Sequence, residues 1–322
     1  MQLPCIPVHD QSLSLSRVIL GGHEYLPDGL SRAFNEDMQK AVTPGYIFPG
    51  FGGPLRRAVV ERALALGITT FDVTIDSEKE ALARNLADLQ VAGPIVVQTR
   101  PEGMLYGYDL FNRKLVSPGV LRAEVLRILE LMGRESLDIL NIGILSEALS
   151  HDAAYLQTLA ENIARLKSEG LIRCAAADSF SGEPTYRALI ESGAFDTLNV
   201  NFNVADDGAA RTIMPLAKER GVRVVAREVF MKGAWFHLCR ELNIDDLDLA
   251  ARVAIKWVAA QQNVDAIILG VDHVRQLETG VEAVLAPRMT KEEESLLARI
   301  MESAAFARIQ QGYHQAFFPA TN

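Results

Sequence analysis

Short apolar runs alternate with longer amphipathic stretches along most of this chain. The apolar runs are rich in Val, Ile and Leu and bounded by turn residues, which is typical of strands buried in a parallel sheet. The predicted strands span 13–20, 68–73, 95–100, 137–142, 171–177, 197–202, 222–229 and 265–270. The predicted helices, which repeat apolar positions at helical spacing, span 55–66, 77–90, 117–132, 152–169, 183–192, 206–220, 246–262 and 273–285. A last helix is predicted from Thr290.

Capping signals mark several of the predicted helix ends. Ser77 and Glu80 have the spacing of a capping box, so a helix is expected to begin at Ser77, directly after an apolar strand and an acidic turn. Thr290 and Glu293 form a second such pair. The repeating unit of this chain is therefore a strand, a turn and a helix.

Eight strands that alternate with eight helices predict an α/β fold, a parallel (β/α)8 TIM barrel. A doubly wound open sheet is the runner-up. No G-x-G-x-x-G segment stands between a strand and a helix, which removes the best support for the open sheet. We predict one barrel domain over residues 1–322, with a long loop at 23–54 and a C-terminal helical extension at 290–322.

Residues 23–54 interrupt the alternation of strands and helices. Prolines and glycines recur through this segment, which disfavours regular structure over most of it. A loop of this length inside a compact domain is usually functional or disordered. Its aromatic residues and few charges favour a folded lid. Because the loop leaves the first strand at its carboxyl end, we expect it to cover the mouth of the barrel.

Composition narrows the possible partners. The formal net charge is −9 and no basic stripe with interleaved aromatic residues is present, which argues against nucleic acid. Three widely spaced cysteines predict neither a disulfide framework nor a CxxC metal site and are typical of a reducing cytoplasm. No window approaches the roughly 18 apolar residues of a membrane span. We expect a cytoplasmic protein without a membrane segment or a metal; its oligomeric state stays open.

Candidate functional residues follow from the strand ends, because the reacting groups of a barrel lie at the carboxyl ends of its strands. The polar residues there are His23, Glu24, Tyr25, Asp72, Asp76, Gln98, Arg100, Asn141, Asp178, Ser179, Asn199, Asn201, Asn203, Arg227, Glu228, Lys232, Asp272, His273 and Arg275. By strand alternation some of Asn141, Asn199 and Asn201 should point into the barrel, since their neighbours supply the outer face. Buried amides form a polar network or contact a ligand.

The charged candidates suggest an anionic ligand. Asp72 and Arg100 end neighbouring strands, which run about 4.8 Å apart, so we expect them to form an ion pair at the floor of the pocket. Arg227 would then lie across from them with no assigned partner except Glu228, whose side chain should point to the opposite face of the strand. An unpaired guanidinium at the mouth favours a carboxylate or phosphate. Two alternatives stay open: Arg227 pairs with Asp178 or Asp272, or the Asp72–Arg100 pair is only structural.

Several short segments can be compared with known families by their order and spacing. They are Phe71-Asp72-Val73-Thr74 with Ser77-Glu78, Leu137-Asp138-Ile139-Leu140, Glu169-Gly170-Leu171-Ile172-Arg173, Asp178-Ser179-Phe180, and Ile268-Leu269-Gly270 with Gln276-Leu277-Glu278. In this order and spacing they resemble the aldo-keto reductases, over roughly residues 13–300. The resemblance implies an eight-stranded barrel that binds NADP(H) without a Rossmann fold. It also implies carbonyl reduction by an aspartate, a tyrosine, a lysine and a histidine.

The resemblance places the family's aspartate on Asp72, its lysine on Arg100 and its histidine on Gly143. The family's tyrosine has no counterpart, because two positions are missing between Asp76 and Ser77. Three of the four catalytic positions are therefore changed. This implies weak or absent NADP(H)-dependent carbonyl reduction.

The expected cofactor site is changed as well. The resemblance places Ser179 where the family has an asparagine, Asn199 where it has a glutamine, and Arg227 where an aromatic ring stacks on nicotinamide. After the last strand, Asp272 would repel a 2′-phosphate, and Arg275 remains as a candidate contact. NADP(H) either binds differently or does not bind.

Three hypotheses follow. The first is a divergent oxidoreductase that uses NADP as its cofactor and acts on a small carbonyl or anionic substrate. In this enzyme Tyr25, Tyr106 or Tyr108 would supply the proton. The second is a redox-free acid/base enzyme of the lyase or isomerase type. The third is a non-enzymatic binding protein. The candidate catalytic residues are Asp72, Arg100, Asn141, Glu228 and Tyr25. The candidate cofactor-binding residues are Asp178, Ser179, Asn199, Arg227, Lys232, Gly233, Gly270 and Arg275.

Overall fold

The computed structural model describes residues 3–8, 13–102, 109–179 and 181–316. The strands in these ranges are β1 Cys5–Val8, β2 Leu13–Ser16, β3 Val18–Gly21, β4 Thr70–Val73, β5 Val96–Thr99, β6 Leu137–Ile144, β7 Ile172–Ser179, β8 Thr197–Asn201, β9 Arg223–Arg227 and β10 Ala266–Leu269. The α-helices are α1 Arg32–Glu36, α2 Met38–Ala41, α3 Pro54–Ala65, α4 Asp76–Asp88, α5 Pro118–Met132, α6 Ser146–His151, α7 Tyr155–Ser168, α8 Glu183–Glu191, α9 Ile213–Glu219, α10 Ala234–Glu241, α11 Leu247–Ala259, α12 Val274–Leu285, α13 Lys291–Met301 and α14 Ala304–Ala316.

Strands β3 to β10 form a closed parallel barrel in the order β10-β3-β4-β5-β6-β7-β8-β9. This confirms the predicted (β/α)8 barrel. Because all eight strands run in the same direction, their carboxyl ends meet at one mouth. The register aligns Asp72 with both Gly21 and Gln98, and it aligns Asp178 with Asn199, so polar residues of neighbouring strands stand side by side.

An antiparallel hairpin of β1 and β2 closes the opposite end of the barrel. Val8, Leu13 and Leu15 are buried there against inward-facing apolar residues such as Ile19 and Ile139. The sequence interpretation missed β1, because Pro4 precedes this short strand, Pro7 lies inside it, and it lacks the apolar alternation of a typical strand. The hairpin gives the barrel interior an apolar floor.

Most predicted helices are present, and the differences concern their ends and the loops. The predicted helix 206–220 is a short 3-10 turn, Gly208–Ala210, followed by α9. Helices α6 and α10 were not predicted, because they lie in stretches assigned to connections. The capping box of Thr290 and Glu293 is present as predicted, at the start of α13.

The capping box predicted at Ser77 is wrong. Helix α4 begins at Asp76, with Ile75 as its N-cap residue, so Ser77 lies inside the first turn. The Ser77 hydroxyl instead accepts a hydrogen bond from the backbone N–H of Phe48 at 2.9 Å. The Ser77 hydroxyl therefore bonds to Phe48 of the 23–54 segment and does not cap the helix.

Residues 23–54 contain two short helices, α1 and α2, and pack on the beginning of α4. Phe48 and Phe51 are buried in a small cluster with Ile75 and Ala81. Because α4 follows directly from the carboxyl end of β4, this segment lies beside the barrel mouth. No helix among the described residues is long and apolar enough to cross a bilayer.

Candidate functional site

The barrel interior is apolar near the hairpin and polar near the mouth. Alternation along each strand sends one set of residues outward to the helices, as Leu198 and Val200 do on β8. The inward set at the mouth is buried or half-buried and polar. It consists of Asp72, Gln98, Arg100, Asn141, Asp178, Asn199, Asn201 and Arg227. The prediction that asparagines point into the barrel is thus consistent with the packing of their neighbours.

Two arginines contact one buried aspartate at the mouth. Arg100 Nη2 lies 3.2 Å from Asp178 Oδ2, and Arg227 Nη2 lies 2.6 Å from Asp178 Oδ1. The second contact is an ion pair whose donor and acceptor are not aligned as a hydrogen bond. The Asp178 side chain is 0% exposed. The expectation that Arg227 lacks a partner is therefore wrong, and the alternative partner Asp178 is the one that it contacts.

Asp72 contacts a neutral side chain rather than Arg100. Gln98 Nε2 donates to Asp72 Oδ1 at 2.8 Å, and Arg100 reaches over to Asp178 instead. The predicted Asp72–Arg100 ion pair is thus wrong in its partner, because the long Arg100 side chain extends toward β7. Burial raises the pKa of Asp72, although the charge of Arg100 and the Gln98 hydrogen bond oppose this rise.

A histidine and a glutamate form a pair beside Asp72. His23 follows the turn after β3, and its Nδ1 lies 2.6 Å from Oε1 of Glu78 on α4. Glu78 is buried, and its second oxygen accepts a hydrogen bond from the backbone N–H of Thr74 at 2.7 Å. In the described part of the chain, no hydrogen bond to His23 Nε2 is found. Residues 55 positions apart in sequence thus build an acid/base pair at the mouth.

The pair changes the pKa of both members. Burial alone would lower the pKa of His23, but the charge and hydrogen bond of Glu78, with the charge of Asp72, raise it overall. Burial alone would raise the pKa of Glu78, but His23, the Thr74 N–H and Arg56 lower it overall. From the sequence, His23 was a candidate only by its position at a strand end, and Glu78 appeared only in the Ser77-Glu78 segment of the resemblance. The pair that they form was not predicted.

Tyr25 lies over the end of β10. A Cβ atom added at Gly270 would lie 1.9 Å from the Tyr25 hydroxyl, so the glycine leaves the space that the tyrosine occupies. The Tyr25 backbone N–H donates to the Asp272 carboxylate, which helps to hold this position. Burial raises the pKa of the Tyr25 hydroxyl above its ordinary value. Tyr25 is therefore a weak acid, and Tyr106 and Tyr108, the other predicted donors, lie outside the described residues.

Several inward amides lack partners within the described ranges. Both side-chain polar atoms of Asn141 and of Asn199 make no hydrogen bond there, and neither does Asn201 Oδ1. Asn141 and Asn199 are 1% and 0% exposed. A buried amide without a partner costs about 1–3 kcal/mol, so these groups are places where a polar ligand would be stabilised.

The nicotinamide half of the expected cofactor does not fit the residues at its predicted site. Arg227, which the resemblance places under the nicotinamide ring, is held by Asp178 instead of offering an aromatic face. The backbone at Gly270, a predicted contact, is covered by Tyr25. The first position therefore lacks the aromatic face that the resemblance implies, and Tyr25 occupies the space beside the second.

The predicted phosphate contacts are engaged elsewhere or lie at the surface. Arg275 is 81% exposed and pairs with Asp248 at 2.5 Å. Lys232 is 66% exposed and lies 3.4 Å from Glu228. Asp272 adds a carboxylate near the end of β10, where a 2′-phosphate would be repelled. The residues present therefore do not fit NADP(H) in the manner that the resemblance implies.

The remaining predicted residues shape the backbone around the mouth. Ser179 is buried, its carbonyl accepts from the Tyr186 hydroxyl at 2.6 Å, and its own hydroxyl accepts from the N–H of Ser181. Glu228 and Gly233 have positive φ angles, 59° and 91°, in the turn between β9 and α10. Among the described residues, no group of three or more His, Cys, Asp or Glu is placed to hold a metal ion.

A second buried charge cluster lies behind the mouth, between the 23–54 segment, α4 and α5. Lys79 is 0% exposed, and its Nζ donates to Asp76 Oδ1 at 2.8 Å and to Glu102 Oε2 at 3.2 Å. Arg127 bridges Asp76 and Glu124. Burial raises the pKa of Glu102 to about 7, against the lowering effect of Lys79. This cluster fixes the start of α4, and with it Glu78.

Comparisons with known proteins agree with this architecture. A family model for the aldo/keto reductase family matches residues 54–238. An aldo-keto reductase from Bacillus halodurans, solved in its holo form, is 16% identical with a TM-score of 0.68, over 93% of this chain and 96% of that one. A glycerol dehydrogenase from Gluconobacter oxydans is 18% identical with a TM-score of 0.64, over 92% and 94%. At these identities the structures show the shared fold. No curated protein matches.

Proposed function

This chain belongs to the aldo/keto reductase family, and we propose that the mouth of its barrel transfers protons to and from a small carbonyl compound. The family is one of oxidoreductases that act on carbonyl groups, so the carbonyl class of substrate is taken from it. The observation that carries the proposal is the contact of His23 Nδ1 with Glu78 Oε1 at 2.6 Å, beside Asp72. This pair supplies an acid where the family's tyrosine is missing.

The chemistry follows from the two groups and their pKa values. Glu78 raises the pKa of His23, so the imidazole is protonated over more of the neutral range than a free histidine. Its Nε2–H can protonate a carbonyl oxygen while the Asp72 carboxylate removes a proton from the adjacent carbon. The C–H bond breaks, an O–H bond forms, and an enol results. Reversal of these steps breaks the O–H bond and returns a proton to the same carbon, so that this carbon exchanges its hydrogen with solvent.

A second candidate is NAD(P)(H)-dependent reduction of the same carbonyl group, and the family match favours it. A bound nicotinamide would supply the hydride. Against it stand Arg227, which is paired with Asp178, and Gly270, which is covered by Tyr25. We place redox-free proton transfer first for this reason. From the cysteine content we propose that either reaction takes place in the cytoplasm.

Exchange of the substrate's proton next to the carbonyl for deuterium measures redox-free proton transfer without any cofactor. The purified protein is incubated in D₂O with a panel of small aldehydes, ketones and keto acids, and loss of the proton next to the carbonyl is followed by NMR. His23→Gln should slow exchange by about 10²–10⁴-fold, because glutamine can occupy the site but cannot transfer the proton. His237→Gln, a change at an exposed histidine of α10, is the control and should leave the rate unchanged.

The pH profile and the cofactor requirement separate the two candidates. If protonated His23 is the acid, the exchange rate falls as the pH rises through its raised pKa. Exchange that is equally fast in His23→Gln would contradict the assignment of the acid. Oxidation of NADH or NADPH by the same panel, with no exchange in the absence of nucleotide, would establish the second candidate in place of the first.

A further inference from the structure

Two positive groups converge on a single negative group at the mouth. Arg100 and Arg227 approach Asp178 from either side, one toward each carboxylate oxygen. The side chain of Arg100 is 9% exposed, that of Arg227 13% and that of Asp178 0%, so solvent screens these charges little. Buried charges interact more strongly than exposed ones, and a buried excess charge is costly unless it is compensated.

The other charges around the mouth largely compensate one another. Glu228 lies 3.4 Å from Lys232 and 3.9 Å from the Arg227 guanidinium, and His23 pairs with Glu78. Within the described ranges, Asp72 forms no ion pair with either arginine and instead accepts a hydrogen bond from Gln98. Among the described residues, the group of Arg100, Arg227 and Asp178 therefore carries one net positive charge.

We infer that Asp178 is a specificity-determining residue that restricts the mouth to ligands with a single negative charge. The inference rests on the proposed function, because it names the substrate class of the same site. A carboxylate that binds beside Arg100 and Arg227 brings the group to neutrality. A second negative charge on the ligand would be buried beside Asp178 without a counterion, which disfavours binding. Arginine suits this role because its planar guanidinium binds carboxylates through two parallel hydrogen bonds.

The neighbouring strand indicates what accompanies that carboxylate. Asn199 on β8 stands in register with Asp178, and both polar atoms of its amide lack a partner among the described residues. This amide, in register with the aspartate that both guanidinium groups contact, offers a donor and an acceptor to a hydroxyl or carbonyl adjacent to the carboxylate. The substrate class is therefore a small keto acid or hydroxy acid with one carboxylate.

Equilibrium binding tests the charge limit directly. Lactate and tartronate differ by one carboxylate on a similar skeleton, and each is titrated into the protein by isothermal calorimetry at about pH 7.5, where both are fully ionised. The unmodified protein should bind lactate about tenfold or more tightly than tartronate. Asp178→Asn raises the net charge of the group by one, so it should reverse this order by strengthening tartronate binding about tenfold or more.

Two further variants follow the same charge count, and the first of them, Arg227→Gln, remains informative if Asp178→Asn fails to fold. Arg227→Gln leaves Arg100 and Asp178 with no net charge, so it should lose the binding of both probes. The double variant Asp178→Asn/Arg227→Gln restores one net positive charge through Arg100 alone, so it should recover the preference for lactate. Circular dichroism of each variant confirms that the barrel is intact.

The inference is overturned if neither probe binds, if the unmodified protein does not distinguish them, or if their ratio is the same in the folded variants. These outcomes are separate from those of the exchange experiment, because calorimetry requires no turnover. Proton exchange on neutral ketones without anion binding would overturn this inference and leave the proposed function standing. Selective lactate binding without exchange on any carbonyl compound would do the reverse.

Discussion

Replacing Glu102 by glutamine should make the stability of this protein less dependent on pH. Glu102 is 2% exposed; one carboxylate oxygen lies 3.2 Å from Lys79 Nζ, and the other has no hydrogen-bond partner among the described residues. This one-sided pairing does not offset burial, so the pKa of the carboxyl is raised from 4.5 to about 7. Glutamine imitates the protonated, uncharged form at every pH.

The magnitude follows from the pKa. A rise from 4.5 to about 7 corresponds to about 3 kcal/mol of free energy. The folded chain binds this proton more tightly than the unfolded chain does. Stability is therefore lost as the pH rises from the unfolded value to the folded one. The difference in unfolding free energy between Glu102→Gln and the unmodified protein should increase by about 3 kcal/mol, in favour of the variant, between about pH 4 and about pH 8.

Urea-induced unfolding, followed by circular dichroism at several pH values, measures this difference. Glu130→Gln is the matched control, because Glu130 is exposed on α5 and its replacement should give a difference that does not change with pH. A difference for Glu102→Gln that stays constant over the same range would show that the buried carboxyl does not titrate there. The reasoning from burial and one-sided pairing would then be refuted.

Three further substitutions test the packing around the site. Lys79→Met should lower the unfolding free energy by about 3–5 kcal/mol in urea titrations, because Asp76 loses a buried counterion; an effect below 1 kcal/mol, on the order of an exposed pair, would contradict this. Gly270→Ala should lower the unfolding free energy by about 1–3 kcal/mol, because the added methyl group clashes with Tyr25. Tyr25→Phe in the same chain should recover part of this loss, and equal stability of all forms would exclude the clash. Thr290→Ala should cost about 1 kcal/mol in thermal unfolding, and no change would mean that the cap is not used.

The sequence by itself determined the architecture and the set of residues from which the site is built. Apolar runs and helical periodicity are local signals, and their alternation gave the barrel and most of its helices. Strand alternation is equally local, and it identified Asn141 and Asn199 as candidates for the barrel interior. The rule that reacting groups lie at the carboxyl ends of barrel strands selected Asp72, Arg100 and Arg227 from the sequence.

Only the tertiary structure decided which of these groups contact one another. Asp178 contacts both Arg100 and Arg227, whereas Asp72 accepts a hydrogen bond from Gln98. His23 contacts Glu78, which is 55 positions away in the sequence. The physical reason is that a pattern of period two or 3.6 fixes the face on which a side chain lies, but not how far a long arginine extends between strands. Burial also arises only on folding, and it raises the pKa values of Asp72 and Glu102. The pKa of His23 is raised against the effect of burial by Glu78, a contact that only the folded chain makes.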